Sequence, residues 1–235
     1  MESFVVTPKQ YLDLAREAYR AKDYAESLRL YEYFFDHALD DDPASFYGVR
    51  LSYCLSEWVR LGKCYPEAKT RLEQKAEESL ALLNTTRNPE NFHDYVSITE
   101  YLERPTLAIK SFLEYHEKDS SLSSEIVRFV WEKLILDSQW EICSHYLTDS
   151  KASYKISLNK YDEATLISKQ NPQFGGEEFN EQIRGWYVTE VTNLLHVLFK
   201  SGRMAEANEI RESVLADMAE RGRKDIPDKI LRMVL

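Results

Sequence analysis

The chain has 235 residues, of which 43% are hydrophobic, so it has enough apolar material for a packed core and is not a disordered chain. It contains only seven glycines and seven prolines, which disfavours an all-β fold with many turns. The formal net charge of −10 disfavours nucleic acid as a partner, because proteins that bind a phosphate backbone usually carry a basic excess.

Apolar residues recur at helical spacing along almost the whole chain, and no segment alternates as a β-strand does. The predicted helices span residues 8–21, 24–39, 43–61, 65–83, 89–103, 105–118, 122–137, 139–149, 152–169, 179–200, 203–221 and 226–234. The short connections between these helices predict that consecutive helices pack antiparallel.

Six of the seven prolines lie where a predicted helix begins. Thr7-Pro8, Asp42-Pro43 and Asn88-Pro89 each combine a residue that favours the N-cap with proline in the first turn. Proline loses no hydrogen bond there, because the first N–H groups of a helix have no partner within it. The exception is Pro172, in the predicted long loop 171–178.

Five of the predicted turns share a large residue followed three positions later by a small one. The pairs are Tyr24/Ser27, Tyr65/Ala68, Pro105/Ala108, Trp140/Cys143 and Met204/Ala207. We expect the small residue to face the preceding helix and to allow close approach. The position ten residues before each large residue is also apolar: Leu14, Leu55, Tyr95, Val130 and Leu194. This regularity predicts repeated helical hairpins.

These positions resemble the tetratricopeptide repeat family. The first hairpin matches best, because it has family-like residues at Leu14, Ala15, Tyr19, Asp23, Tyr24, Leu28 and Tyr31. The small residues of the first four pairs are 41, 40 and 35 positions apart, near or above the family's repeat of about 34. The middle hairpins depart from the family, which prefers Gly or Ala where this chain has Val96, Trp131 and Leu195.

The resemblance implies an all-α fold, a right-handed α-solenoid of about five antiparallel helix hairpins. It implies a single repeat domain over 1–235, with the best repeats at about 8–39, 43–83 and 179–221 and an irregular segment at about 150–180. The alternative is an irregular helical bundle. Within the irregular segment, NKYDEA (159–164) resembles the turn signature, either as a truncated repeat or by chance.

The last predicted helix has apolar residues on one side and is expected to cap the C-terminal end of the stack. Those residues are Ile226, Ile230, Met233 and Val234. An exposed end of a repeat stack needs such a cap, because each repeat buries only the faces that its neighbours cover. The alternative is a docking helix for a partner or a second copy.

The sequence offers no sign of an enzyme, a cofactor or a metal site. The five histidines lack the i, i+4 spacing of a zinc helix, there is no CxxC motif, and Gly175-Gly176 is not followed by the Lys-Ser or Lys-Thr of a phosphate loop. Cys54, Cys64 and Cys143 are sparse and odd in number, which favours buried free thiols in a reducing compartment. With no signal-like start and no apolar run of about 18 residues, we expect a soluble cytoplasmic protein that does not enter membranes.

In tetratricopeptide repeats the first helix of each hairpin faces a concave groove that holds the ligand. Transferred to this chain, the resemblance predicts six partner-binding residues: Arg16, Tyr19, Arg20, Arg50, Tyr53 and Arg60. Arg beside Tyr suits a carboxylate, through paired hydrogen bonds and stacking. The family's chaperone-tail binders use a Lys and Asn clamp, but Arg16 occupies the Asn position, so that clamp is not reproduced. The alternative is that these arginines only pair with neighbouring acids such as Glu17 or Glu57.

We therefore expect a non-catalytic interaction module or adaptor that binds a protein or peptide in its groove, with an acidic segment or a C-terminal carboxylate as the ligand. Reversing the charge of Arg16 and Arg50 is expected to weaken binding without unfolding the protein. The alternative function is a dedicated chaperone, antitoxin or immunity-type partner whose acidic surface covers a basic protein. The sequence does not indicate the oligomeric state.

Overall fold

The computed structural model describes residues 7–171 and 175–234, apart from the side chains of residues 41, 233 and 234. The described chain is all-helical and has no β-strand, as predicted. The α-helices are α1 (Pro8–Arg20), α2 (Tyr24–Asp41), α3 (Pro43–Val49), α4 (Leu55–Gly62), α5 (Pro66–Thr86), α6 (Pro89–Tyr101), α7 (Pro105–Lys118), α8 (Ser120–Ile126), α9 (Trp131–Leu136), α10 (Trp140–Tyr146), α11 (Ser150–Gln170), α12 (Glu177–Lys200), α13 (Met204–Glu220) and α14 (Asp225–Val234). The predictions for Pro172 and for the side chains of Met233 and Val234 lie outside the described residues.

The helix starts follow the proline pattern. Thr7 and Gln10 form a capping box in which the Thr7 side chain accepts from the Gln10 backbone N–H and the Gln10 side chain accepts from the Thr7 N–H. Asp42 and Asn88 accept hydrogen bonds from first-turn backbone N–H groups of α3 and α6. Such a cap contributes about 1 kcal/mol, so these short local signals define where the helices begin.

Two predicted helices are interrupted. The predicted helix 43–61 contains a π-helical segment, Arg50–Cys54, between α3 and α4. The predicted helix 122–137 divides into α8, a 3₁₀ turn at Val127–Phe129 and α9. A π-helical turn widens the helix and redirects the side chains around it, and here the segment buries Arg50 and Cys54.

The residues divide into two compact units, Met1–Val130 and Trp131–Leu235. In the first unit α1 packs on α2, α4 on α5 and α5 on α6. Its core includes the fully buried Trp58, Tyr31 and Phe112. The indole Nε1–H of Trp58 donates to the Ala68 carbonyl at 2.9 Å, so its one polar group is satisfied within the core.

The second unit is built on the long hairpin of α11 and α12. Tyr187 donates to the Tyr154 hydroxyl, which donates to Asp217 at 2.9 Å, and these bonds connect α12, α11 and α13. Arg221 and Asp162 form a two-bond ion pair that also joins α13 to α11. α11 runs through NKYDEA (159–164), in agreement with the predicted helix 152–169, and Asp162 pairs with Arg221. Of the two alternatives for this stretch, the chance resemblance to the turn signature is therefore correct.

The five small residues of the turn pairs are all fully buried: Ser27, Ala68, Ala108, Cys143 and Ala207. Four of the five turns also share one backbone geometry, with a left-handed residue two positions before the large residue. The left-handed residues are Lys22, Glu103, Ser138 and Gly202. In each, the next N–H reaches back to the carbonyl five residues earlier at 2.8–2.9 Å, which closes the helix end as a Schellman motif. The same turn therefore recurs in both units.

The last helix packs against the neighbouring helices of the second unit. Ile226, Pro227 and Ile230 are buried, and α14 packs against α12 and α13. The expectation of three buried thiols is right for Cys54 and Cys143 but wrong for Cys64, which is exposed at the end of α4. Burial raises the pKa of the Cys143 thiol to about 11.

Candidate functional site

All six predicted partner-binding residues lie in the first unit. They are Arg16, Tyr19 and Arg20 on α1, Arg50 and Tyr53 on the π-helical segment, and Arg60 on α4. Three of these residues take part in contacts between α1 and α4. The Arg60 guanidinium lies 4.7 Å from the centroid of the Tyr19 ring, and Arg16 reaches Glu57 on α4.

Arg16 forms ion pairs with two acids of its own unit. Its Nε–H donates to both carboxylate oxygens of Glu57 at 3.0 Å, and a terminal N–H donates to Asp13 at 3.1 Å. Partial burial works against the charge, but these acids raise the pKa of Arg16 above its usual value. The positive charge of Arg16 therefore stabilises the contact between α1 and α4.

Arg50 is buried, with 5% of its surface exposed, and it forms a two-bond ion pair with Asp94 on α6. Its guanidinium lies 4.5 Å from the Phe35 ring centroid, and its Nε–H is buried without a hydrogen-bond partner among the described residues. Burial raises the pKa of Asp94, and Arg50 opposes that rise. Arg50 thus anchors the π-helical segment to α6, and reversing its charge would leave two acids facing each other in a buried site.

The other members of the predicted set remain accessible. Tyr53 is 64% exposed, and Arg20 and Arg60 are exposed. No ion pair joins Arg20 or Arg60 to an acid within the described part of the chain. Because Arg60 lies against Tyr19, its guanidinium plane is held by stacking while its N–H groups remain available to a ligand.

Arg60 borders a cleft of the first unit, with a volume of about 560 Å³. The cleft lies between the end of α4 and the end of α6. Its lining residues are Ser56, Glu57, Val59, Arg60, Lys63, Glu100, Tyr101 and Glu103. The two cations stand on the α4 side, whereas two of the three acids stand on the α6 side. The third acid, Glu57, is bound to Arg16.

A second cavity of about 280 Å³ adjoins the cleft and shares four of its residues. It adds Gly62, Lys69, Leu72 and Leu102. Lys63 and Lys69 extend the cationic side, and neither has an ion pair within the described residues. Sequence reasoning overlooked both lysines, because it considered only first-helix positions of each hairpin, whereas these residues lie in the following turn and on α5.

A polar cluster joins α3, α6 and the 3₁₀ turn. Tyr47 donates to the Glu90 carboxylate and lies 2.6 Å from His93 Nδ1, while Arg128 donates to the other Glu90 oxygen at 3.0 Å. The His93 ring stacks on Phe129 with centroids 4.4 Å apart. Burial lowers the pKa of His93, although Glu90 works in the other direction. The hydrogen bonds of this cluster join its own residues to one another and hold α6 in place. α6 forms one wall of the cleft.

No group of three or more His, Cys, Asp or Glu side chains among the described residues is placed to hold a metal ion. None of the helices in residues 7–171 and 175–234 combines the length and the apolar character that crossing a membrane requires.

Comparisons of the chain with protein-family models, with curated proteins and with solved structures found no match. The assignment of a function therefore depends on the geometry described above.

Proposed function

We propose that this protein is a non-catalytic interaction module that binds an acidic peptide or protein segment at the α4–α6 cleft of its first unit. The observation that carries the proposal is Arg60, an exposed cation stacked on Tyr19 at the edge of a cleft of about 560 Å³. A cleft of this size accommodates a short peptide stretch or a small ligand.

The repeated turns support a tetratricopeptide-like arrangement of the hairpins within each unit. Every one of the five turns buries a small residue, and four of them close with the same left-handed residue and the same backbone bond. Repeats of this kind typically present first-helix side chains on a common surface. Arg20, Tyr53 and Arg60 are the predicted residues that remain exposed for such a surface.

The chemistry of the cleft favours a carboxylate over other groups on the same ligand. A guanidinium donates two parallel hydrogen bonds to a carboxylate, and such pairs are about twice as strong as neutral hydrogen bonds. Lys63 adds a second positive charge on the same side, and Tyr101 adds an aromatic wall. Arg16 and Arg50 act in this proposal as supports, because Arg16 holds α4 against α1 and Arg50 holds the π-helical segment against α6.

A second candidate function is a chaperone, antitoxin or immunity-type partner that covers a basic protein. The observation that favours it is that Glu100 and Glu103 line the α6 side of the same cleft, in a chain of net charge −10. The two candidates differ in the sign of the preferred ligand.

The test is fluorescence anisotropy with three labelled peptides: a glutamate–serine peptide with a free C-terminal carboxylate, its amidated form, and the corresponding lysine–serine peptide. We expect the glutamate peptides to bind and Arg60→Glu to weaken them at least tenfold, which corresponds to about 1.4 kcal/mol. The free and amidated forms separate recognition of the terminus from recognition of side chains.

The matched control is Arg29→Glu, which makes the same charge change at an exposed position of α2 outside the cleft. It is expected to alter affinity less than twofold at physiological salt, because distant exposed charges are screened. An equal loss in both variants would refute the cleft as the site. Preferential binding of the lysine peptide would replace the proposal with the second candidate function.

A further inference from the structure

The second unit has its own cleft, along one face of the α11–α12 hairpin. Two cavities of about 210 and 320 Å³ lie on this face, and Lys160 lines both. The first is lined by Trp131, Leu147, Ser153, Ile156, Ser157, Lys160, Glu190 and Leu194. The second is lined by Lys160, Ala164, Gln182, Ile183 and Trp186.

The register of the hairpin explains why these residues share a face. Ser168 on α11 donates to Asn180 on α12 at 2.8 Å, and the Tyr161 and Tyr187 rings lie 4.9 Å apart. These contacts align the two helices antiparallel, so that residues one turn apart on each helix follow the same groove. On α11 these are Ile156, Lys160 and Ala164, and on α12 they are Ile183, Trp186, Glu190 and Leu194.

Glu190 is the one carboxylate that lines the smaller cavity, and it is half-buried. It accepts no hydrogen bond and forms no ion pair within the described part of the chain, where most other half-buried acids are paired. A carboxylate taken partly out of water without a donor is unfavourable, so this site gains from a cation supplied by another molecule. The burial raises the pKa of Glu190, which Lys160 opposes and Glu132 reinforces.

Lys160 does not supply the cation that would pair with Glu190. Its ammonium lies 5.8 Å from the centroid of the Trp186 ring, and it forms no ion pair within residues 131–171 and 175–234. Trp131 adds an aromatic side chain to the Glu190 cavity, and an aromatic face attracts cations. Leu147, Ile156 and Leu194 complete an apolar lining that suits a long aliphatic stem.

We propose that this cleft binds a basic residue of a partner polypeptide, with its cationic head at Glu190 and its stem along the apolar lining. A cavity of about 210 Å³ is smaller than a typical drug-sized pocket and matches a single long side chain. The adjoining cavity beside Ile183 and Trp186 then receives an apolar neighbour of that residue. The proposal uses only residues of the second unit and does not depend on the α4–α6 cleft.

The test compares two labelled 12-residue peptides on the full chain by fluorescence anisotropy. One alternates arginine and leucine around a central Arg-Leu pair, and the other carries citrulline, the neutral isostere, at the central arginine. We expect the arginine peptide to bind at least tenfold more tightly. Equal affinity, or no binding of either peptide at 1 mM, would overturn the proposal without requiring any variant to fold.

Variants then assign the effect to Glu190. Glu190→Gln is expected to reduce binding of the arginine peptide tenfold and to leave the citrulline peptide unchanged, which a non-specific loss of negative charge would not do. The matched control Glu163→Gln changes an exposed acid of α11 outside the two cavities and is expected to leave both affinities within twofold. Equal weakening by both variants would overturn the proposal.

Lys160→Met provides an opposite test. If Lys160 is only a competing cation near Glu190, its removal should strengthen binding of the arginine peptide several-fold. The opposite result would be weaker binding of that peptide after Lys160→Met, together with binding of a glutamate–leucine peptide to the unmodified chain. It would show that the cleft binds an anion and would overturn the proposal.

Discussion

The clefts of the two units differ in the charged group that we propose to bind the ligand. In the first unit the acids Glu57 and Asp94 are bound to Arg16 and Arg50, and an exposed cation, Arg60, remains at the cleft. In the second unit the cleft is lined by Glu190 and Lys160, neither of which forms an ion pair within the described residues, and we propose that Glu190 binds the ligand. Both units belong to one acidic chain, yet we propose that their clefts bind ligands of opposite charge.

The comparison shows that the composition of a groove does not identify its ligand. Arg16 and Arg60 are both arginines on neighbouring helices, but only Arg60 keeps its hydrogen-bond donors available. Glu57 and Glu190 are both half-buried acids, but only Glu190 lacks a donor within the described residues. We expect a ligand to bind at charged groups that have no ion-pair partner within the protein, because a paired group would first have to break its internal ion pair.

The largest effect is expected from breaking the buried pair of the first unit. Arg50→Met should lower the free energy of unfolding by about 3–5 kcal/mol, because Asp94 then stays buried without its cation. Urea denaturation followed by circular dichroism measures the change. The double variant Arg50→Met/Asp94→Leu should recover most of the loss. A loss below about 1 kcal/mol in the single variant would show that the Arg50–Asp94 pair contributes no more than a surface ion pair.

Asp119 in the first unit and Glu190 in the second should respond to pH in opposite ways. The pKa of Asp119 in the first unit is lowered to about 2 by Arg87 and by backbone N–H groups of α8. The stability from Asp119 is therefore present above its unfolded pKa of about 4 and is lost as the pH falls toward 2. The pKa of Glu190 is raised by burial. The loss of folding stability caused by its buried charge therefore grows as the pH rises from about 4 through its folded pKa.

Melting temperatures between pH 2.5 and 7.5 test this contrast. Asp119→Asn should melt at a lower temperature than the parent chain near neutral pH and approach it at the acid end. Glu190→Gln should melt at a higher temperature near neutral pH and also converge at the acid end. If both variants shift in the same direction at neutral pH, Glu190 has an internal partner and the contrast between the clefts fails.

The smallest effect concerns the shared turn. Lys22 in the first unit and Gly202 in the second both have left-handed backbones, with φ of 63° and 77°. A side chain in this conformation costs roughly 1 kcal/mol, and a Cβ on Gly202 would meet no atom within 4 Å. Gly202→Lys should therefore destabilise by up to about 1 kcal/mol, and Lys22→Gly should stabilise by less, since glycine also frees the unfolded chain. Thermal denaturation measures both variants. Changes in melting temperature in the same direction for the two variants would contradict the common turn geometry.

Local signals in the sequence predicted much of the fold. The caps at Thr7, Asp42 and Asn88 depend on neighbours within three positions. The small residue of each turn pair is identified by its spacing from the large residue, and all five are buried as expected. The π-helical segment and the break at Val127–Phe129 escaped prediction. Both depend on contacts across more than 30 residues, such as Arg50 with Asp94 and His93 with Phe129.

The candidate sites were less predictable for the same reason. The resemblance to tetratricopeptide repeats pointed to six residues, but it could not distinguish Arg16 and Arg50, which pair with acids 41 and 44 positions away, from the exposed Arg60. Glu190 gave no signal, because its lack of a donor is a property of the folded hairpin. Spacing in the sequence indicates which face a residue occupies, but not which charge remains available.

The central claim is that the two clefts act separately and prefer opposite charges. The direct measurement is a crossed titration of the glutamate–serine peptide and the arginine–leucine peptide against the full chain, Arg60→Glu and Glu190→Gln. The account predicts that Arg60→Glu weakens only the acidic peptide and Glu190→Gln only the basic one, each at least tenfold, with no competition between the peptides. Loss of both peptides in one variant, or of neither in both, would contradict it.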